Sequence, residues 1–296
     1  MYEPEITIIT PTYNIVEAGK ADDFMLLIGL LSKQTYPYIE HIVMDNASTD
    51  ETISLLKDYK NSGYISFYSA PDTGKYDAIN KGLLRAKGKY VGILSCDDFY
   101  HDITGLYDVV NLMEANDADF CYFSAYCIMP DDNVILFNPS IYNVFQVLPF
   151  AHQAVIFKRE ALEKLGNFDS KFKMLADYDL IIRAVMSGLH GVQFNGNIVT
   201  YRLGEKTSKY TVQAEAECSH IFHKNFRALY PINENEIERL VKISEIPKPL
   251  LDKLANYFPK EDNEVFMQFY EQMYQIRLEA EELKRAEERN AKQKQQ

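Results

Sequence analysis

Lys89-Tyr-Val-Gly-Ile-Leu-Ser-Cys-Asp-Asp98 is the stretch whose reading decides the fold. A β-rich apolar run stops at two adjacent acids, Asp97 and Asp98. A strand that ends this way delivers carboxylates to the rim of a sheet, where open α/β folds bind ligands. Hard oxygen ligands at such a rim suit a divalent cation that also holds a diphosphate. The competing reading is a helix start, since Asp is a good N-cap.

The segments before it repeat one rhythm. Glu5–Thr10 reads as a buried strand closed by Pro11, and Glu40–Met44 as a second that ends at Asp45. Tyr64–Ser69 is a third, and Tyr90–Ser95 a fourth. Helical spacing falls between them at Asp22–Gln34, Thr49–Tyr59 and Tyr76–Ala86. Strands alternating with helices at this interval predict an α/β fold with a doubly wound, mostly parallel sheet. After Asp98 the pattern changes. A helix is expected at 103–115, strands at Phe120–Met129 and Val134–Asn138, and a strand and helix at Val155–Lys158 and Arg159–Leu165. Tyr178–Ser187 reads as a helix and Ile198–Leu203 as a late strand. From about 211 onward the sequence is helical, cut by Pro247, Pro249 and Pro259, and the last twenty residues are too polar to build a core. The expected organisation is a domain over 1–210, a helical C-terminal extension over 211–276, and a polar helical or disordered tail over 277–296.

The chain has 296 residues, 47% of them hydrophobic, enough for one large core with an appendage. A net charge of −12 argues against a nucleic-acid partner. It does not argue against a small anionic ligand, because a metal supplies local positive charge. Cys96, Cys121, Cys127 and Cys218 form no CxxC pair and read as buried free thiols of a reducing compartment. No signal peptide precedes the strand-like sequence at Ile6, and no apolar run reaches bilayer length. A soluble, cytoplasmic protein is expected, with work at the inner membrane surface left open.

The loops after the first three strands fall on one sheet edge. They are Thr10-Pro-Thr-Tyr-Asn14, Asp45-Asn-Ala-Ser-Thr-Asp50 and Ser69-Ala-Pro-Asp-Thr-Gly-Lys75. With Asp97 and Asp98 the rim collects an aromatic ring, hydrogen-bond acceptors, a lysine at a helix start and metal-type acids. That combination suits a nucleoside diphosphate.

In order along the chain, these pieces resemble the inverting glycosyltransferases of family 2, which have the GT-A fold. The resemblance runs through Ile8–Asn14, Gln34–Asp50, Pro71–Gly82 and Ala86–Asp98. It continues with His152-Gln-Ala, Gly166-Asn-Phe-Asp169 and Ala176-Asp-Tyr-Asp-Leu-Ile-Ile-Arg183. Each motif is weak alone and the ordered series is strong. It covers roughly residues 5 to 205.

The resemblance implies a nucleotide-sugar donor, usually a UDP-sugar, a divalent metal (manganese or magnesium), and a saccharide or lipid-linked acceptor in surface glycan synthesis. It places Thr10, Pro11, Tyr13, Asn14, Asp45, Asp72, Lys75, Asn80 and Asp97 at the donor. Tyr13 would stack on the base and Asp45 contact it. Asp98 would hold the metal; this chain has Ser95-Cys96-Asp97-Asp98, without the earlier acid of the family's metal motif. Asp177 would be the base that deprotonates the acceptor hydroxyl, although Ala176 replaces the acid that often precedes it. His152 would lie on the acceptor side, and Arg202 and Lys206, flanking Gly204, in a lid. Each has a plainer alternative: helix capping for Asp50 and Asp177, a turn for Asp72, a solvated lysine for Lys75, a structural histidine, a surface loop. The C-terminal helices are expected to offer a self-association surface. Two other function classes fit the sequence less well. A nucleotidyltransferase would want a Gly-rich basic loop after the first strand, where the chain has Thr10-Pro-Thr-Tyr-Asn14. A non-catalytic nucleotide-binding or scaffolding protein would have no use for Asp98 and Asp177.

Overall fold

The computed structural model describes residues 5–204 and 212–294. The chain divides into two compact units. One takes Met1–Pro139, Phe150–Leu180 and Ser187–Lys209, the other Ser140–Pro149, Ile181–Met186 and Tyr210–Gln296. The position near 210 is therefore one of several at which the chain passes from one unit to the other.

The first unit opens with β1 (Ile6–Thr12), α1 (Ala21–Leu31), β2 (Ile39–Asp45), α2 (Thr52–Asn61), β3 (Ser66–Ser69), α3 (Lys75–Leu83) and β4 (Tyr90–Ile93). These four strands pair in parallel in the order β3-β2-β1-β4. β1 is central and covered on both faces, which is why Ile6, Ile8 and Ile9 form a nearly continuous buried apolar run. Pro11 lies within β1 rather than closing it. Thr12 accepts from the β2 side and Ile9 from the β4 side, so by alternation Pro11 faces the β4 side. The β4 pairing has already ended there at Ile93, and the missing N–H costs no ladder bond.

β5 (Phe99–Tyr100), α4 (Gly105–Asn116), β6 (Phe120–Ile128), β7 (Val134–Phe137), β8 (Val155–Lys158), α5 (Arg159–Leu165), α6 (Ala176–Met186, which belongs to the first unit through Leu180) and β9 (Gly191–Arg202) follow. The sheet continues as β4-β8-β6-β9-β5, with β7 also on β6. Here it becomes mixed. β8 runs antiparallel to β4 and β6, and β9 parallel to β6. β9 begins seven residues before the expected Ile198. Its first half, Gly191-Val-Gln-Phe-Asn-Gly-Asn197, lacks a continuous apolar run and pairs with β6 across register shifts after Phe123 and Ser124. Gly191 lies where a Cβ would sit 2.2 Å from the Phe120 ring, so the two strands approach closely there.

The second unit contains α7 (Val212–Phe226), α8 (Glu234–Ile243), α9 (Lys248–Leu254) and α10 (Asn263–Lys294). Phe145 packs against Phe226, Phe258 and Phe266 in its core. Gln146 donates to the carbonyls of Ser244 and Tyr270. Asn233 and Glu236 form a capping box at the start of α8. α10 continues unbroken past residue 277, so the polar tail is the helical extension of the packed segment. All four cysteines are free and buried. Among the described residues no helix is long and apolar enough to cross a membrane.

Candidate active site

β4 stops at Ile93, and the Leu94 amide makes one more bond to Ile9 O before the chain turns. Ser95 N then donates to Asp98 Oδ2 at 2.8 Å, folding the loop back on itself. Gln153 Nε2 donates to the same oxygen at 2.8 Å, and the backbone N of Arg202 to Oδ1 at 3.2 Å. Asp98 is thus buried and held by three N–H groups drawn from three parts of the chain. Burial first, and then the neighbouring Asp97, push its carboxyl above the usual range, against the pull of Gln153, His152 and Ser95. Asp97 pairs with Lys20 Nζ at 2.6 Å.

A hard cation fits this donor set. Oδ1 of Asp98 accepts one N–H and keeps a lone pair, and a divalent charge would relieve the repulsion that raises its carboxyl. Among the described residues no group of three or more His, Cys, Asp or Glu side chains stands placed to hold a metal. Cations of the magnesium type are often held by one or two carboxylates together with substrate phosphates, which accords with a single buried acid here.

Asp177 lies in the first turn of α6. Its Oδ1 accepts from Tyr178 N at 2.9 Å and its Oδ2 faces His152 Nδ1 at 3.2 Å. His152 sits in a short 3-10 turn immediately before β8, next to the Gln153 that holds Asp98. Both Asp177 and His152 are buried. Burial would raise the Asp177 carboxyl, but the His152 contact, the Lys75 charge and the Tyr76 hydroxyl outweigh it and hold it below the usual range. Burial, then the Lys75 charge, keeps the His152 ring below its ordinary value, against Asp177 and Asp98. Lys75 begins α3, with its ammonium 4.5 Å from the Tyr76 ring centroid.

Asp45 ends β2. It is buried, and its oxygens accept from Ser48 N at 3.0 Å, the Ser48 hydroxyl, Ser69 Oγ at 2.6 Å and Thr12 Oγ1 at 3.4 Å. It ties together the ends of β1, β2 and β3. Asn14 does similar work between loops. Its backbone N donates to Ser48 Oγ and its Oδ1 accepts from Thr49 N, each at 2.9 Å, with φ at 45°. Asn tolerates that left-handed conformation better than most residues. Tyr13 beside it projects its ring, 58% exposed. Asp50 accepts from Thr52 N, two residues on, and from Glu17 N, while Glu51 occupies the N-cap position of α2. Asp72 accepts from Gly74 N at 2.8 Å, and its own N donates to Asn46 Oδ1 at 2.7 Å. Burial pushes its carboxyl up.

The structure directs the side chains of three expected site residues elsewhere. Thr10 is buried within β1 and its hydroxyl pairs with His41 at 2.9 Å on the neighbouring strand. Asn80 has both ends of its amide engaged by the Phe168 backbone. The Arg202 guanidinium faces Asp132 at 3.7 Å and Asp23 at 4.0 Å, while only its backbone meets Asp98. Lys206 lies outside the described residues. Gln153 and Lys20 were not singled out from the sequence. Gln153 stands inside the quoted His152-Gln-Ala motif, a usable signal; Lys20 offers none.

The model of the family described as glycosyl transferase family 2 matches residues 7–166. The chain is 29% identical over 198 residues to an uncharacterized glycosyltransferase of Rickettsia prowazekii, a match covering 61% of this chain and 58% of that one. Its fold is similar to S. aureus TarS 1-349 solved in complex with UDP-GlcNAc. That likeness has a TM-score of 0.59 at 14% identity, over 92% of this chain and 89% of that one. It is also similar to the mannosyltransferase PcManGT from Pyrobaculum calidifontis, solved with GDP-Man and Mn2+. Here the TM-score is 0.59 at 19% identity, over 94% of this chain and 85% of that one. The α/β, GT-A type fold expected from the ordered motifs is the fold found.

Proposed function

The chain belongs to glycosyl transferase family 2, and from that premise we propose that it moves a sugar from a UDP-sugar to a hydroxyl of a saccharide or lipid-linked acceptor, with inversion at the anomeric carbon and with a divalent metal, in surface glycan synthesis. One observation carries the reading. Asp98, buried in the turn after β4, and the pair of Asp177 at the start of α6 with His152 before β8 are linked through adjacent residues, since His152 touches Asp177 and Gln153 touches Asp98. Metal-type and base-type groups therefore stand side by side, as a displacement of a nucleoside diphosphate requires.

Tyr13 covers the base, with Asp45 behind it holding the loop ends that shape the base end of the site. Asp98 holds the metal, which when bound neutralises charge on the diphosphate leaving group. Lys75 adds positive charge at the start of α3. The Asp177–His152 pair takes the proton of the acceptor hydroxyl as its oxygen attacks the face opposite the diphosphate. The expected domain over 1–210 carries this chemistry and the C-terminal helices support self-association.

The test is calorimetry with UDP and Mn²⁺. Asp98→Asn keeps an oxygen for the Ser95 and Gln153 donors but loses the charge. Metal-dependent UDP binding should disappear while the circular dichroism spectrum is kept. Undiminished binding would sink the assignment.

A further inference from the structure

We infer, resting on the metal-dependent transfer reading above, that Lys20 is the standing counter-ion of the acid pair after β4. It holds down the affinity of that turn for a free divalent cation and adds to its attraction for a diphosphate. The cation is then taken up with the nucleotide rather than ahead of it.

Lys20 occupies the N-cap position of α1, at the end of the loop that carries Tyr13 and Asn14. Backbone bonds close that loop: Ala18 N donates to Asn14 O at 3.0 Å, and Lys20 N to Ile15 O at 2.8 Å. Gly19 between them has φ at 71°, a conformation that glycine adopts at no steric cost. From this fixed start Lys20 Nζ reaches across 77 positions of sequence and donates to Asp97 Oδ2 at 2.6 Å. A second tie lies three residues on. Asp23, in the first turn of α1, faces the Arg202 guanidinium at 4.0 Å, and Arg202 N donates to Asp98 Oδ1 at 3.2 Å. The start of α1 is thus tied to Asp97 directly and to Asp98 through Arg202.

The two ends of the ion pair differ in exposure. The Lys20 side chain is 42% exposed and the Asp97 side chain 12%. Asp97 is therefore withdrawn from water and depends on Lys20 for compensation. The ammonium has three donors and uses one on Asp97, so it can also meet an arriving anion. Burial works against its charge, but Asp97 first, and then Cys96 and Asp98, outweigh that and keep it ionised. The Arg202 guanidinium is engaged with Asp23 and Asp132, which leaves Lys20 as the cation paired with this turn.

Charge decides the consequence. With both acids ionised, the turn carries two negative charges and the single positive charge of Lys20. A divalent cation approaching Asp98 is repelled by Lys20 twice as strongly as a monovalent one would be at the same distance. A diphosphate feels the opposite sign, and a lysine binds phosphate as a point charge. Removing Lys20 should therefore move the two affinities in opposite directions.

Equilibrium binding on the full chain tests this without turnover. Free Mn²⁺ is followed by its electron paramagnetic resonance signal in the absence of nucleotide. Lys20→Met keeps the length of the side chain and removes its charge, and should bind Mn²⁺ about fivefold tighter than wild type or more. Lys20→Arg keeps the charge and should stay within about twofold of wild type. Adding Asp98→Asn to Lys20→Met should abolish the gain. Adding Asp97→Asn instead restores the charge balance and should return the Mn²⁺ affinity toward that of wild type. Calorimetry with UDP, at Mn²⁺ that saturates both proteins, should show Lys20→Met binding about fivefold more weakly. Circular dichroism checks each fold, and Lys20→Gln serves if Lys20→Met does not fold. A charge-removing variant that binds free Mn²⁺ no tighter than wild type, or that tightens Mn²⁺ and UDP alike, overturns the role of Lys20 while the transfer reading stands. Wild-type protein that binds UDP equally well with and without Mn²⁺ removes the metal-dependent reading, and this role with it.

Discussion

Asn80 holds the backbone of Phe168 at both of its polar groups: Nδ2 donates to the Phe168 carbonyl at 2.8 Å, and Oδ1 accepts from the Phe168 amide at 3.1 Å. The pair spans 88 positions of sequence and joins α3 to the loop between α5 and α6. The Phe168 ring stacks on Tyr76 at 5.4 Å, and Tyr76 donates to Met174 O, so the same contacts fix the approach to Asp177. Asn80→Ala leaves two backbone groups without their partner. A loss of about 1–3 kcal/mol is expected in chemical denaturation. Asn80→Asp keeps an acceptor for the amide but sets a second oxygen against the carbonyl, and should recover only part of that stability.

His41 predicts the slope of stability against pH. It is buried and its Nε2 meets Thr10 Oγ1, and burial pushes the ring down to about 3. The unfolded ring titrates near 6.5. Between those values the unfolded chain binds the extra proton, so stability rises with pH. This contribution is fully present above about 6.5 and is lost as pH falls toward about 3. Denaturation midpoints of His41→Gln and wild type, compared between these limits, should differ in slope by up to about 1.4 kcal/mol per pH unit. Parallel slopes would mean that the ring is not held neutral.

Gly88 provides a packing test. A Cβ there would stand 2.6 Å from Thr7 N and 2.8 Å from the Ile6 carbonyl carbon, both backbone atoms of β1. Its own N donates to Thr7 Oγ1 and its carbonyl accepts from Arg159 Nε, each at 3.0 Å. Backbone cannot swing aside as a side chain does. Gly88→Ala should therefore lower stability by about 1–3 kcal/mol, read by thermal or chemical unfolding.

The parallel half of the fold was legible because burial on both faces leaves its mark in sequence. Ile6–Thr12, Ile39–Asp45 and Tyr90–Ile93 are apolar runs with sharp ends. β9 was half-legible, since the register shifts along β6 break the alternation that identifies a strand. At the candidate site, the ordered motifs single out Asp97, Asp98, His152 and Asp177 as residues to examine. What their atoms touch does not follow from the motifs. Thr10 turns to His41 because a residue inside a central strand has no solvent-facing side. Gln153 finds Asp98 across 55 positions and Lys20 finds Asp97 across 77, distances at which no periodicity carries information.

The last prediction concerns α10. Its first turns are packed, with Phe266 and Tyr270 buried. Farther along, Ile276 is 60% and Leu283 66% exposed, and Glu281 and Arg285 form a pair four residues apart on the helix. An exposed pair of this kind contributes only a few tenths of a kcal/mol to the helix. The helix beyond residue 277 therefore adds little to the stability of the unit it leaves, and no residue of the candidate site lies in it. Deleting residues 278–296 should leave the circular dichroism spectrum, the unfolding midpoint and the turnover of a UDP-sugar unchanged. Sedimentation should be run on the same protein, because Ile276 and Leu283 share one helix face seven residues apart. A fall in molecular mass with turnover intact would assign the segment to self-association. A collapse of turnover in a folded, unchanged oligomer would instead place the segment in the catalytic cycle and sink the prediction.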